Sequence, residues 1–228
     1  MNNTVKVGLL GAILTFMSGQ VLHAADTIIV PQPAFHPYVG VFGGINFVPN
    51  IAATDLISGS GNVNFASGDF AGIKIGTNLG ERWRAEVELS RSYNGINNFT
   101  FNNGNVNTYA SGSINQTYAL GNIWYDFHNQ SAFTPYAGGG LGAGWADGNL
   151  LSNGGNYINV TSATALAFQL GIGVTYDVSQ KLSLDLGYRF KGMTGLNPTI
   201  KSTFFFPITI DQNNIGSHNL QIGATLRF

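Results

Sequence analysis

Arg84, Glu86 and Glu88 stand two residues apart along the chain. A carboxylate pair on one face is a residue set suited to proton transfer. In an extended chain, alternate residues point the same way, so the three form a row of mixed sign. The same parity adds Lys74, Asp126, Asp185, Arg189 and Arg227 to the inward side of their own segments. Eight such groups read first as a structural network that satisfies buried charge and fixes register. A narrow ion path would be lined by the same residues, and the sequence does not separate the two. Catalysis by the Glu86/Glu88 pair is disfavoured, because Arg84 and other inward cations offer a structural explanation and the lumen offers little substrate access.

Other candidates are thinner. His36 precedes the first strand, His128 lies in a short turn, and His218 falls near the outer end of the last strand. A lipid-modifying hydrolase would need a serine on the same face as His218. The residues two away are Gly216 and Leu220, and the adjacent Ser217 points to the other face. The fragment Asp147-Gly148-Asn149 reads as turn chemistry rather than a calcium loop. Gly-x-Gly patterns lie inside strands, where they are no dinucleotide fingerprint. No catalytic, cofactor-binding or metal-binding set is expected.

The elements that position these groups are strands with two unlike faces. In residues 182–190, Leu182, Leu184, Leu186, Tyr188 and Phe190 alternate with Ser183, Asp185, Gly187 and Arg189. Period-2 alternation marks a strand. A soluble sandwich would bury the large residues; a transmembrane barrel would turn them to lipid and keep the small, polar and charged ones inside. Composition favours the barrel: 9% charged residues, 31 glycines and no cysteine in 228 residues, against ~25% charge in soluble domains. A net charge of −1 without a basic cluster gives no footing for nucleic acid.

Residues 1–25 read as a secretory signal, with Lys6 before the apolar run 7–17 and Ala24 and Ala25 near the cut. Residues 26–36 form a proline-rich periplasmic lead-in, and 37–228 the barrel. Strands are expected at 38–47, 67–79, 82–93, 113–127, 134–146, 163–176, 182–190 and 218–228. The spans 49–66, 94–112, 147–162 and 191–217 are expected to be long outer loops, the second continuing its flanking strands as a ribbon turned at Asn103-Gly104. Spans of ten or so residues suit a hydrocarbon layer that tilted strands cross in about 9–11. Aromatic girdles are expected at Tyr38, Trp83, Tyr125, Tyr136, Tyr176 and Phe228 on one side and Phe47, Tyr93, Trp145 and Phe190 on the other. The fold class is thus all-β: an eight-stranded antiparallel up-and-down barrel with short periplasmic turns. No second domain is expected.

The runs NIWYDF at 122–127, FTPYAGGGLG at 133–142 and LSLDLGYRF at 182–190, with the terminal Phe228, resemble the bacterial outer-membrane surface-antigen and OmpA-like barrel proteins. That resemblance covers the strands and not the long loops. It implies an outer-membrane location amid lipid and lipopolysaccharide. It also implies that Ile222, Ala224, Leu226 and Phe228 are read by the barrel assembly machinery. The expected role is structural and surface-exposed, with outer loops that meet a surface ligand; a low-conductance pore and a lipid A-modifying enzyme are the alternatives. The apolar run 202–210 is an expected contact site, lid or strand extension.

Overall fold

A computed structural model describes residues 36–55, 59–101, 106–152, 157–161, 164–196, 199–202, 208–210 and 214–228. The expected signal segment, nearly all of the lead-in and the Asn103-Gly104 turn lie outside these residues, as does most of the apolar run 202–210. The strands are β1 Pro37–Phe47, β2 Ile51–Asp55, β3 Gly59–Phe65, β4 Gly68–Leu79, β5 Trp83–Phe101, β6 Val106–Asp126, β7 Phe133–Ser152, β8 Tyr157–Thr161, β9 Ala165–Asp177, β10 Leu182–Thr194, β11 Thr199–Ser202, β12 Ile208–Ile210 and β13 Asn214–Arg227.

Eight of them close a ring in the order β1, β4, β5, β6, β7, β9, β10, β13 and back to β1, every pair antiparallel. Partners can be followed from Gly40 through Lys74, Glu88, Leu120, Gly142, Ala167 and Met193 to Ile215 on the last strand. Gly40 itself pairs directly with Thr225. That ten-residue stagger between Ile215 and Thr225 tilts eight strands by roughly 40° and leaves an interior about as wide as its side chains.

The faces are inverted relative to a water-soluble sheet. Val87 is 63% exposed, Leu186 62% and Ile222 64%, whereas Glu88 is 4%, Asp185 6% and Arg189 4% exposed. Apolar surface turned outward over a whole ring is stable only against hydrocarbon. At the end that carries the short turns, Trp83, Tyr125 and Phe127 pack edge to face, and Phe133 lies 4.8 Å from Tyr176. Tyr38 and Tyr136, expected in that girdle, point inward instead and are 2% and 3% exposed. Each shares parity with an inward glycine, Gly40 or Gly138, and its hydroxyl finds charged partners inside. The tight turn after β4 depends on Gly80, whose φ of 76° suits glycine.

At the opposite end the expected loops are largely strand. The span 49–66 holds the hairpin β2–β3, and β5, β6 and β7 run on well past the expected strand ends. The expected ribbon is present, with Asn98 paired to Tyr109 and Phe101 to Val106. These extensions join as β11-β8-β7-β6-β5-β3-β2-β12, a second tier above the ring. A bulge between Gly95 and Asn98 reverses the parity of β5 on entering this crown. Inside it, Val48, Ile51, Val63, Met193, Leu196 and Ile215 form an apolar core, with Ile96 and Ile114 packed against it.

Candidate functional site

The lumen of the ring holds two charge clusters under a layer of amides. The lower cluster starts at Arg84, whose parity on β5 aims it inward. Its Nε donates to Asp126 Oδ2 at 2.8 Å and its Nη2 to Oδ1 at 2.9 Å, a bidentate fork across β5 and β6. Glu86 Oε1 accepts from the Tyr38 hydroxyl at 2.9 Å, and Oε2 from Trp124 Nε1 at 2.7 Å. Lys74 Nζ bridges the barrel, 3.3 Å from Asp185 Oδ1 and 3.8 Å from Glu86 Oε1. Asp185 also accepts from Gln221 Nε2 at 3.0 Å. Arg189 donates to the Tyr136 hydroxyl at 2.8 Å and lies 4.2 Å over the Trp124 ring. Glycine makes the room: a Cβ at Gly40 would sit 2.8 Å from Lys74 Cε.

The upper cluster is built around Glu88. Its Oε1 accepts from Lys191 Nζ at 2.5 Å and from Ser90 Oγ at 2.9 Å; Oε2 accepts from Gln169 at 2.9 Å and Asn122 at 3.2 Å. Lys191 is further enclosed by the rings of Tyr118, Phe42 and Phe70 at 5.4, 5.5 and 5.7 Å. Above it, Asn46 Nδ2 donates to Asn219 Oδ1 at 2.7 Å, and Asn94 Nδ2 to the Asn46 carbonyl at 3.3 Å. The apolar core of the crown begins there.

Seven of the eight sequence-predicted groups therefore meet inside: Lys74, Arg84, Glu86, Asp126 and Asp185 in the lower cluster, Glu88 in the upper, and Arg189 against Trp124 and Tyr136. Arg227 does not join them. It pairs with Asp177 at 2.7 Å on the short-turn rim, where both side chains are partly exposed. Lys191 was missed because the asparagine- and glycine-rich character of 191–217 reads as loop. Its signal was parity: Asp185, Gly187 and Arg189 lead straight to it. With Lys191 included, the described residues place four cations and four carboxylates in the interior.

A polar cavity of about 240 Å³ opens under the lower cluster, lined by Lys74, Arg84, Asp126, Asp185 and Arg227 among others. On the outer surface, His218 Nδ1 lies 2.6 Å from the Tyr188 hydroxyl and its ring 5.2 Å from Phe190. Ser217 is buried on the opposite face. Ile222 and Leu226 face outward on β13, and Phe228, just beyond its end, is exposed and donates its amide to the Pro37 carbonyl at 3.1 Å.

Residues 12–228 match the family model described as outer membrane protein beta-barrel domain. PagN, an outer membrane protein of Salmonella typhimurium, is 34% identical over 92 residues, a match that spans 37% of this chain and 37% of PagN. The solved structure of OprG from Pseudomonas aeruginosa superposes with a TM-score of 0.53 at 15% identity, covering 84% of this chain and 95% of that one. Neisserial surface protein A gives 0.49 at 22% identity, over 84% of this chain and 97% of its own. Closed ring, inverted faces and family match agree: the chain belongs to the outer membrane protein beta-barrel domain family and lies in the outer membrane of a Gram-negative cell.

Proposed function

We propose that this barrel is a closed wall element with no enzymatic activity, serving membrane integrity and carrying the crown it presents outside the cell. The observation that supports a closed wall is the filled lumen. Among the described residues, Lys74, Arg84 and Lys191 are paired with Glu86, Glu88, Asp126 and Asp185 inside the ring, Arg189 is held by Tyr136 and Trp124, and amides and then apolar side chains lie above them. An ion entering this stack would have to part charges held across strands, at a cost of several kcal/mol per group left unpaired. A non-catalytic role is supported by the surroundings of His218, which faces aromatic rings and a tyrosine hydroxyl. Biogenesis on this reading uses Ile222, Ala224, Leu226 and Phe228 as the signal that the barrel assembly machinery reads.

Planar bilayer recording tests the reading. Purified protein is expected to give no steady unitary openings, and the charge-neutral pair Glu88→Gln with Lys191→Met is expected to be equally silent. Stable, ion-selective openings that change with that pair would establish a pore in its place.

A further inference from the structure

The cavity of about 240 Å³ at the short-turn end is closed from above by the lumen network, and two ion pairs stand in its wall. They differ in what they have left to offer. Arg84 holds both oxygens of Asp126 in its fork, so that pair is committed. Arg227 touches Asp177 by one contact, Nη1 to Oδ1 at 2.7 Å, which leaves four of its five donors and Asp177 Oδ2 unused. Between these two residues the wall is hydroxyl. Ser183 on β10 stands in register with Asp177 on one side and Thr225 on the other, and Thr175 lies two residues deeper on β9. Ser183, Thr225 and Thr175 are 2%, 8% and 9% exposed and line the cavity, yet among the described residues none of their hydroxyls has a hydrogen-bond partner. Buried polar groups are rarely left so, and three together on one wall point to a guest.

Charge and size narrow the class of guest. Lys74, Arg84 and Arg227 line the cavity against Glu81, Asp126, Asp177 and Asp185, with His128 on a turn beside them. A simple anion would be outnumbered by carboxylates, and a simple cation would be set against two guanidinium groups and an ammonium. A molecule with one charge of each sign meets an opposite charge at both ends and adds no net charge to a confined space. A cavity of about 150 Å³ takes benzene, so 240 Å³ gives room for a solute of roughly ten non-hydrogen atoms. We propose that this cavity binds a small zwitterion of the amino-acid or dipeptide class from the periplasm. Its carboxylate lies on the unused donors of Arg227, and its ammonium among the oxygens of Asp177, Ser183 and Thr225. The charge network above stops the solute there, so the cavity retains it rather than passing it on. This goes beyond the closed-wall reading and uses only the cavity's own residues.

The test is calorimetric titration of the full chain in phosphatidylcholine nanodiscs with alanyl-alanine. N-acetyl-alanyl-alanine and alanyl-alanine amide, each lacking one charge, are titrated in parallel. Saturable binding of the zwitterion is expected, with each blocked form about tenfold weaker. Arg227→Gln and Asp177→Asn should each weaken alanyl-alanine about tenfold while keeping a boiled-versus-unboiled gel shift. Ser183→Ala should weaken it by about threefold, and Arg91→Gln at the opposite rim should bind normally. Should a rim variant not assemble, the ranking of the three probes on the wild type still decides. No binding by the wild type, equal binding of all three probes, unchanged binding by the assembled rim variants, or loss of binding in Arg91→Gln would each overturn the proposal.

Discussion

β5 obeys opposite rules at its two ends. Near the short turns, Val87 and Leu89 look out while Glu86 and Glu88 look in; beyond the bulge, Asn98 and Thr100 look out over an apolar interior. The backbone ladder is continuous in kind, so secondary structure does not cause the difference. The solvent does: hydrocarbon rewards apolar groups outside and leaves charges nowhere but the lumen, while water above the membrane restores the usual arrangement. The level at which the code flips, near Arg91, Tyr93 and Trp145, marks the edge of the hydrocarbon on the protein itself.

Mutations can break or sharpen that contrast. The largest loss is expected for Glu88→Ala, which strands Lys191 in the lumen and should cost about 3–5 kcal/mol in reversible urea unfolding from phospholipid vesicles. Replacing both partners, Glu88→Gln with Lys191→Met, should cost clearly less than the single change; equal losses would show that the pair is not coupled. Next comes Val87→Arg, one residue away on the lipid side, with about 2–4 kcal/mol expected for a cation near the bilayer midplane. Arg227→Ala should cost under ~1 kcal/mol, as befits a partly exposed pair with Asp177. Smallest of all, Asn62→Arg in the crown should change stability by no more than about 0.5 kcal/mol. A loss there as large as at Val87 would place the crown in lipid and erase the contrast.

Much of the ring is legible in the sequence. The alternation in 182–190 and the scarcity of charge carry the face inversion, the eight alternating segments carry the strand number, and the parity of each brings seven of the eight named groups inside. What stayed hidden has local physical causes. Tyr38 and Tyr136 carry rings that suit a membrane interface and hydroxyls that suit a charged interior, and only their parity with Gly40 and Gly138 decides between the two. Lys191 lies just past Phe190, where composition turns loop-like although the period-2 pattern has not ended. The bulge in β5 adds a residue without any marker in the pattern, so parity counted from Trp83 fails beyond Gly95. Arg227 shares the inward parity but sits so near the rim that water and Asp177 reach it first. Apart from the ribbon of 94–112, the crown strands are not legible, because asparagine and glycine are poor strand formers whose pairing here comes from neighbours already in register.

The ring closes by pairing β1 with β13, the first and last of the described strands. Until Gly40 meets Thr225, every partial barrel presents two raw margins of backbone donors and acceptors, intolerable in hydrocarbon. A ring lacking the fourteen-residue β13 would keep both margins open, so stability in hydrocarbon requires all eight strands together.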